Sequence, residues 1–145
     1  MADKLLKMAH TVGHFFVSDI YSFYLDTYKG SLGKVQVEVL DCLHDKGNAS
    51  VKDISEKLNI SKQHASKIIS KLESEHYVTG QQSGKDARST IYSLTGEGIT
   101  FVEKHIAQSD AHLLEYINSL SKSDRDKFEK SLSEIAEIIN TIQQE

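Results

Sequence analysis

Two short amphipathic helical patterns, separated by a turn of about three residues, constrain this chain more than any other feature. Ser50 followed three residues later by Asp53 resembles a capping box with Asp in place of Glu, and Val51, Ile54 and Leu58 mark one face of a short helix. After Asn59-Ile60, Ser61 is a second N-cap residue. From there Ala65, Ile68, Ile69 and Leu72 repeat the i, i+3, i+4, i+7 spacing through to about His76. Helices that meet across so tight a turn are the arrangement a helix-turn-helix requires. The period then changes: Tyr77-Val78-Thr79 and Thr90 to Leu94 favour strands, with polar Gln81 to Asp86 between them, so the segment reads as a hairpin.

Longer helices flank this unit. Leu5, Ala9, Val12, Phe16, Ile20, Phe23 and Tyr24 recur at three- and four-residue steps and predict one long helix to Tyr28. A second runs from about Leu32 to His44, with Val35, Val39, Leu40 and Leu43 inward, and ends before Asp45-Lys46-Gly47-Asn48. Thr95 caps a further helix striped by Ile99, Val102, Ile106, Leu113, Tyr116, Ile117 and Leu120. Ser123, with Asp126 three later, opens the last, striped by Phe128, Leu132, Ile135, Ile139 and Ile142. The fold class is therefore mainly α with a small β-hairpin wing. There is no proline, and the glycines that mark the breaks fall in small clusters.

Composition excludes several classes. The start lacks the unbroken apolar stretch of a secretion signal, and no 18 apolar residues run consecutively, so a cytoplasmic protein with no membrane partner is expected. Cys42 is the only cysteine, which excludes an internal disulfide and any site built from several thiolates. No nucleophile elbow, P-loop, dinucleotide fingerprint or zinc-protease motif appears, so no enzyme is expected. The formal charge of −4 looks wrong for a partner of nucleic acid, but its distribution matters more. Residues 61–90 hold five basic side chains against three acidic ones, a local +2 that leaves −6 elsewhere.

The second helix of the turn divides into two faces. Ala65, Ile68, Ile69 and Leu72 point inward; Lys62, Gln63, His64, Ser66, Lys67, Ser70 and Lys71 stay outside. That outer face offers ammonium groups for phosphates, an amide able to pair with adenine, and small hydroxyls that permit close approach to a groove floor. At the hairpin tip, Arg88 suits a narrow minor groove, and Asp86 two residues earlier suits a partner that orients the guanidinium.

Here the sequence resembles the MarR-type transcription regulators. Lys85-Asp86-Ala87-Arg88, followed by Leu94-Thr95-Gly96, is similar to that family's wing signature, and Val51 to Lys67 is similar to its helix-turn-helix. The likeness spans essentially the whole chain. It implies a winged helix-turn-helix over 32–95 and a helical dimerisation region from 1–31 and 96–145. It also implies a homodimer on a pseudo-palindromic duplex DNA operator, commonly a repressor released by a small effector. Carried over by position, Ser61, Lys62, Gln63, His64, Ser66, Lys67 and Lys71 face the major groove, and Lys85, Asp86 and Arg88 form the wing contacts. The long terminal stripes exceed what one small lobe can cover, which agrees with burial against a second copy.

The signal is open at this stage. His10 and His14 share a face at i, i+4, and His105 and His112 at i, i+7. Zinc-sensing members of that family place ligands at the junction of these regions, with Asp26, Glu38 or Asp110 as conceivable partners here. No cofactor is required, and zinc is the one to consider. Cys42 sits beside an apolar stripe, which favours a small buried side chain over a redox sensor. Phe15, Phe16 and Tyr24, with Tyr21, Phe23 and Tyr28 nearby, are candidates for a cleft holding a phenolic ligand or, more simply, for dimer core. The rival class is a winged helix that binds protein in place of DNA.

Overall fold

The computed structural model describes residues 2–84 and 86–143, with Asp86 to Arg88 and Gln143 described through the backbone alone. The N-terminal helical run is α1 (Ala2–His14), a π-helical segment (Phe15–Tyr21) and α2 (Ser22–Thr27). Regular spacing predicts an uninterrupted α-helix here, and the wider middle turns are a departure that periodicity does not encode. α3 (Lys34–Lys46) follows and runs two residues further than Asp45 and Lys46 suggest. It stops where Gly47 adopts φ +78° and its N–H bonds to Leu43 O at 2.9 Å.

β1 (Ala49–Ser50) leads directly into α4 (Val51–Leu58). α5 (Lys62–Ser74) ends two residues before the expected His76, which has turned left-handed at φ 66°. β2 (Val78–Ser83) and β3 (Asp86–Leu94) complete an antiparallel sheet of order β1-β3-β2. β2 takes in Gln81 to Ser83, which their polarity assigned to the loop. Its register with β3 is regular from Val78–Leu94 to Gln82–Thr90 and shifts before Ser83–Asp86. β1 escapes sequence reading because it is two residues long and doubles as the cap of α4.

α6 (Gly96–Ser119) and α7 (Lys122–Gln143) end the chain. The cap of α7 is Ser121, not Ser123: its Oγ accepts from Asp124 N at 3.2 Å and donates to Asp124 Oδ2 at 2.7 Å. Both serines stand three residues before an aspartate, so the local pattern alone does not distinguish them. The chain divides into two compact units, one up to Ser109 and one from Asp110.

In the first unit the main core gathers Val39, Leu40 and Leu43 of α3, Ile54 of α4, Ile69 and Leu72 of α5, and Val102 of α6, each 1% exposed or less. This one core fixes the two helices of the turn against α3. Beside it Tyr24, Tyr28 and Val37 form a smaller cluster. In the second unit α7 carries Ile138 and Ile142 at 61% and 66% exposure, an apolar edge largely open in the single chain. Among the described residues no helix is long and apolar enough to cross a membrane.

Candidate nucleic-acid interface

Hydrogen bonds at two serines set the geometry of the turn. Ser50 Oγ accepts from Asp53 N at 3.2 Å, while Asp53 Oδ2 accepts from Ser50 N at 2.9 Å and from Ser50 Oγ at 2.7 Å. These bonds hold the Asp53 carboxyl below its ordinary pKa, because they favour the ionised form. α4 ends at Asn59, left-handed at φ 52°, and Ile60 N bonds back to Ser55 O at 3.0 Å. Asn tolerates that conformation better than most non-glycine residues. Ser61 then opens α5 by accepting from His64 N at 3.1 Å.

With both ends pinned, the α5 faces fall as their spacing requires. Ala65, Ile68, Ile69 and Leu72 are buried. Ser61, Lys62, Gln63, His64, Ser66, Lys67, Ser70 and Lys71 are all exposed. Lys71, its side chain 56% exposed, lies 3.9 Å from the half-buried Glu75. Lys67 is in no ion pair among the described residues.

At the wing, Asp86 and Arg88 lie on β3. Lys85 and the expected pairing of the Asp86 and Arg88 side chains lie outside the described residues. The wing root is well defined. Thr95 N bonds to Tyr77 O at 3.0 Å, and Thr95 Oγ1 donates to His76 O at 2.6 Å while accepting from Gly98 N at 2.9 Å. One threonine thus ties the end of β3 to the start of β2 and caps α6.

The histidines and aromatics named from the sequence fall at several places along α1, the π-helical segment, α2 and α6. His10 and His14 are exposed on α1, with His14 Nε2 3.4 Å from Ser18 Oγ. His105 is buried at 6% exposure, stacked on Tyr28 with ring centroids 3.8 Å apart. Its Nδ1 is 2.9 Å from Thr27 Oγ1. That hydroxyl spends its proton on Tyr24 O at 2.7 Å, so Nδ1 is the protonated nitrogen of the ring. Burial lowers the His105 pKa, with Lys104 adding to the effect. His112 lies on α6 beyond the boundary between the two units. Of the carboxylates considered beside them, Asp26 pairs with Lys29 at 3.1 Å and Glu38 with Lys34 at 3.7 Å. No group of three or more His, Cys, Asp or Glu stands within reach of one metal ion among the described residues.

Phe15 and Phe16 meet edge to face at 5.3 Å on the π segment. Tyr24 is buried in the smaller core cluster. It donates to Asp41 Oδ1 at 2.5 Å, which leaves Tyr28 Oη as the donor in the 2.9 Å bond between the two tyrosines. Burial raises the pKa of Asp41, partly offset by the Tyr24 hydrogen bond, and pushes the Tyr28 phenol up to about 12. This chain from Tyr28 through Tyr24 to Asp41 joins α2 to α3. Nothing in the spacing of Tyr24, Asp41 and His105 announces it, because the partners are brought together only by packing. Cys42 is 2% exposed and burial raises its thiol pKa, as expected for a packing residue.

A helix-turn-helix with a two-stranded hairpin after its second helix, packed on a further helix, defines a winged-helix protein. Residues 32–90 match the MarR family model. The chain is 23% identical over 124 residues to the HTH-type transcriptional regulator MhqR of Bacillus subtilis, with 86% of each covered. It resembles the crystal structure of YusO from the same organism at a TM-score of 0.70, with 22% identity and 94% and 98% coverage of the two chains. It also resembles a point mutant of S. aureus MepR bound to an oligodeoxyribonucleotide, at a TM-score of 0.69, with 16% identity and 90% and 97% coverage.

Proposed function

We propose that this protein is a sequence-specific transcriptional regulator of duplex DNA, acting as a homodimer on a pseudo-palindromic operator as a repressor released by a small effector. In this reading residues 32–95 bind DNA, and 1–31 with 96–145 dimerise. The observation that carries it is the exposed polar face of α5, from Ser61 to Lys71, standing on a buried apolar face that fixes its direction. Such a helix fits a major groove about 12 Å wide, and a hairpin beside it can reach the adjacent minor groove with Arg88. The match of residues 32–90 to the MarR family model and the nucleic acid bound by the MepR mutant support the same partner class.

Selection of bound sequences from random duplex DNA by the full chain tests this. The expected result is an enriched inverted repeat with half-sites roughly one helical turn, about 34–36 Å, apart. Binding should fall steeply with salt as phosphate counterions are displaced. Retention of no sequence at low salt would overturn the reading and leave a protein-binding winged helix. Repeating the selection with zinc and with a chelator tests the metal alternative.

A further inference from the structure

The first turn of α3 and one edge of the recognition helix α5 enclose an open groove of about 400 Å³ lined by Lys34, Gln36, His64, Lys67, Ile68 and Lys71. We propose that this groove seats a backbone phosphate of the DNA strand flanking the recognition helix, with Lys34 of α3 as a contact additional to those of α5. The proposal rests on the DNA-binding reading and deepens it.

Three observations converge on it. Lys34, Lys67 and Lys71 all line the groove, and no carboxylate does. Glu38 pairs with Lys34 at 3.7 Å and Glu75 with Lys71 at 3.9 Å, each four residues along the chain, whereas Lys67 is in no ion pair among the described residues. An anion in the groove would neutralise that remaining cation. Lys34 is also the first residue of α3, where the positive end of the helix dipole disfavours a cation and favours an anion. Finally, Gln36 Oε1 accepts from Gly33 N at 3.0 Å, which holds the first turn of α3 in place at the groove wall.

The groove also divides the labour on α5. His64, Lys67 and Lys71 line the groove beside α3, whereas Gln63, Ser66 and Ser70 are exposed outside it. The basic edge would hold backbone and the amide and hydroxyl face would read bases, the two kinds of contact that separate affinity from specificity.

The test uses the full chain and the duplex enriched by selection. Lys34→Gln should lower the salt slope by about 0.9, equivalent to about fivefold weaker binding at 0.15 M salt relative to 1 M, with base preferences unchanged. Lys34→Arg should restore the slope. Scanning the duplex with single methylphosphonates should reveal a position that weakens the wild type several-fold and the Lys34→Gln protein hardly at all. Wild-type slope and wild-type methylphosphonate sensitivity in Lys34→Gln would overturn this inference while leaving DNA binding intact. Absence of wild-type binding to any duplex would instead remove the reading beneath it. A thermal melt of Lys34→Gln matching the wild type excludes misfolding, as expected for a side chain 64% exposed.

Discussion

Gly98 shows how one residue can be dictated by a distant backbone. A Cβ placed there would fall far inside van der Waals contact of Tyr77 O, the carbonyl that also accepts from Thr95 N. Neither side can yield without breaking the junction between wing and α6. Gly98→Ala should therefore destabilise the fold by about 2–3 kcal/mol, the upper range for overpacking, read as a lowered denaturant midpoint with an unchanged m-value. His105 supplies a second prediction. Its folded pKa is depressed, so below pH 6.5 the unfolded chain binds the proton more readily than the native one. Its contribution to stability is complete above 6.5 and falls as pH drops toward the depressed native value. His105→Phe keeps the ring on Tyr28 but cannot titrate. Melting temperatures between about pH 7.5 and 5.0 should decline less for this variant than for wild type, and equal slopes would show that another group governs the acid limb.

Among the elements, the caps of the helix-turn-helix were plain in the residues because an N-cap bond spans only three positions. Ser50 with Asp53 and Ser61 behave as their spacing requires. Ser61→Ala should cost about 1 kcal/mol, measurable by chemical denaturation, and should loosen the orientation of α5. If the proposed function holds, DNA affinity falls with it. The same logic was ambiguous at α7, where Ser121 and Ser123 are both followed by aspartate three residues on. The hydrogen bonds select Ser121. The π segment and β1 had no local signal at all. A π turn preserves an apolar stripe well enough to pass for α, and a two-residue strand exists only because β3 lies beside it through the pairs Ala49–Tyr92 and Ser50–Ile91.

At the scale of the whole molecule, the proposed homodimer would cover exposed aliphatic residues of α1 and α7. Leu5, Leu6 and Met8 on α1 and Ile135, Ile138, Ile139 and Ile142 on α7 remain open in the single chain. Stretches of this kind commonly mark an interface, and two-fold pairing would present α5 twice to successive grooves. The unfolding midpoint should then rise with protein concentration. Ile139→Lys combined with Ile142→Lys should shift the sedimenting species toward the monomer. A concentration-independent midpoint with monomeric wild type would count against dimerisation.

The sequence by itself determined what depends on near neighbours along the chain: helix faces, serine caps, the change of period at the hairpin, and the polar side of α5. Those follow from a repeat of about 3.6 or 2 residues and from bonds spanning three positions. Only the tertiary structure decided which distant residues meet. The stack of His105 on Tyr28, the passage of Tyr24 to Asp41, the contact that forbids a side chain at Gly98, and the union of Lys34 and Gln36 with Lys67 and Lys71 all join separate elements. Chain periodicity carries no record of such meetings, because they are set by how whole helices pack.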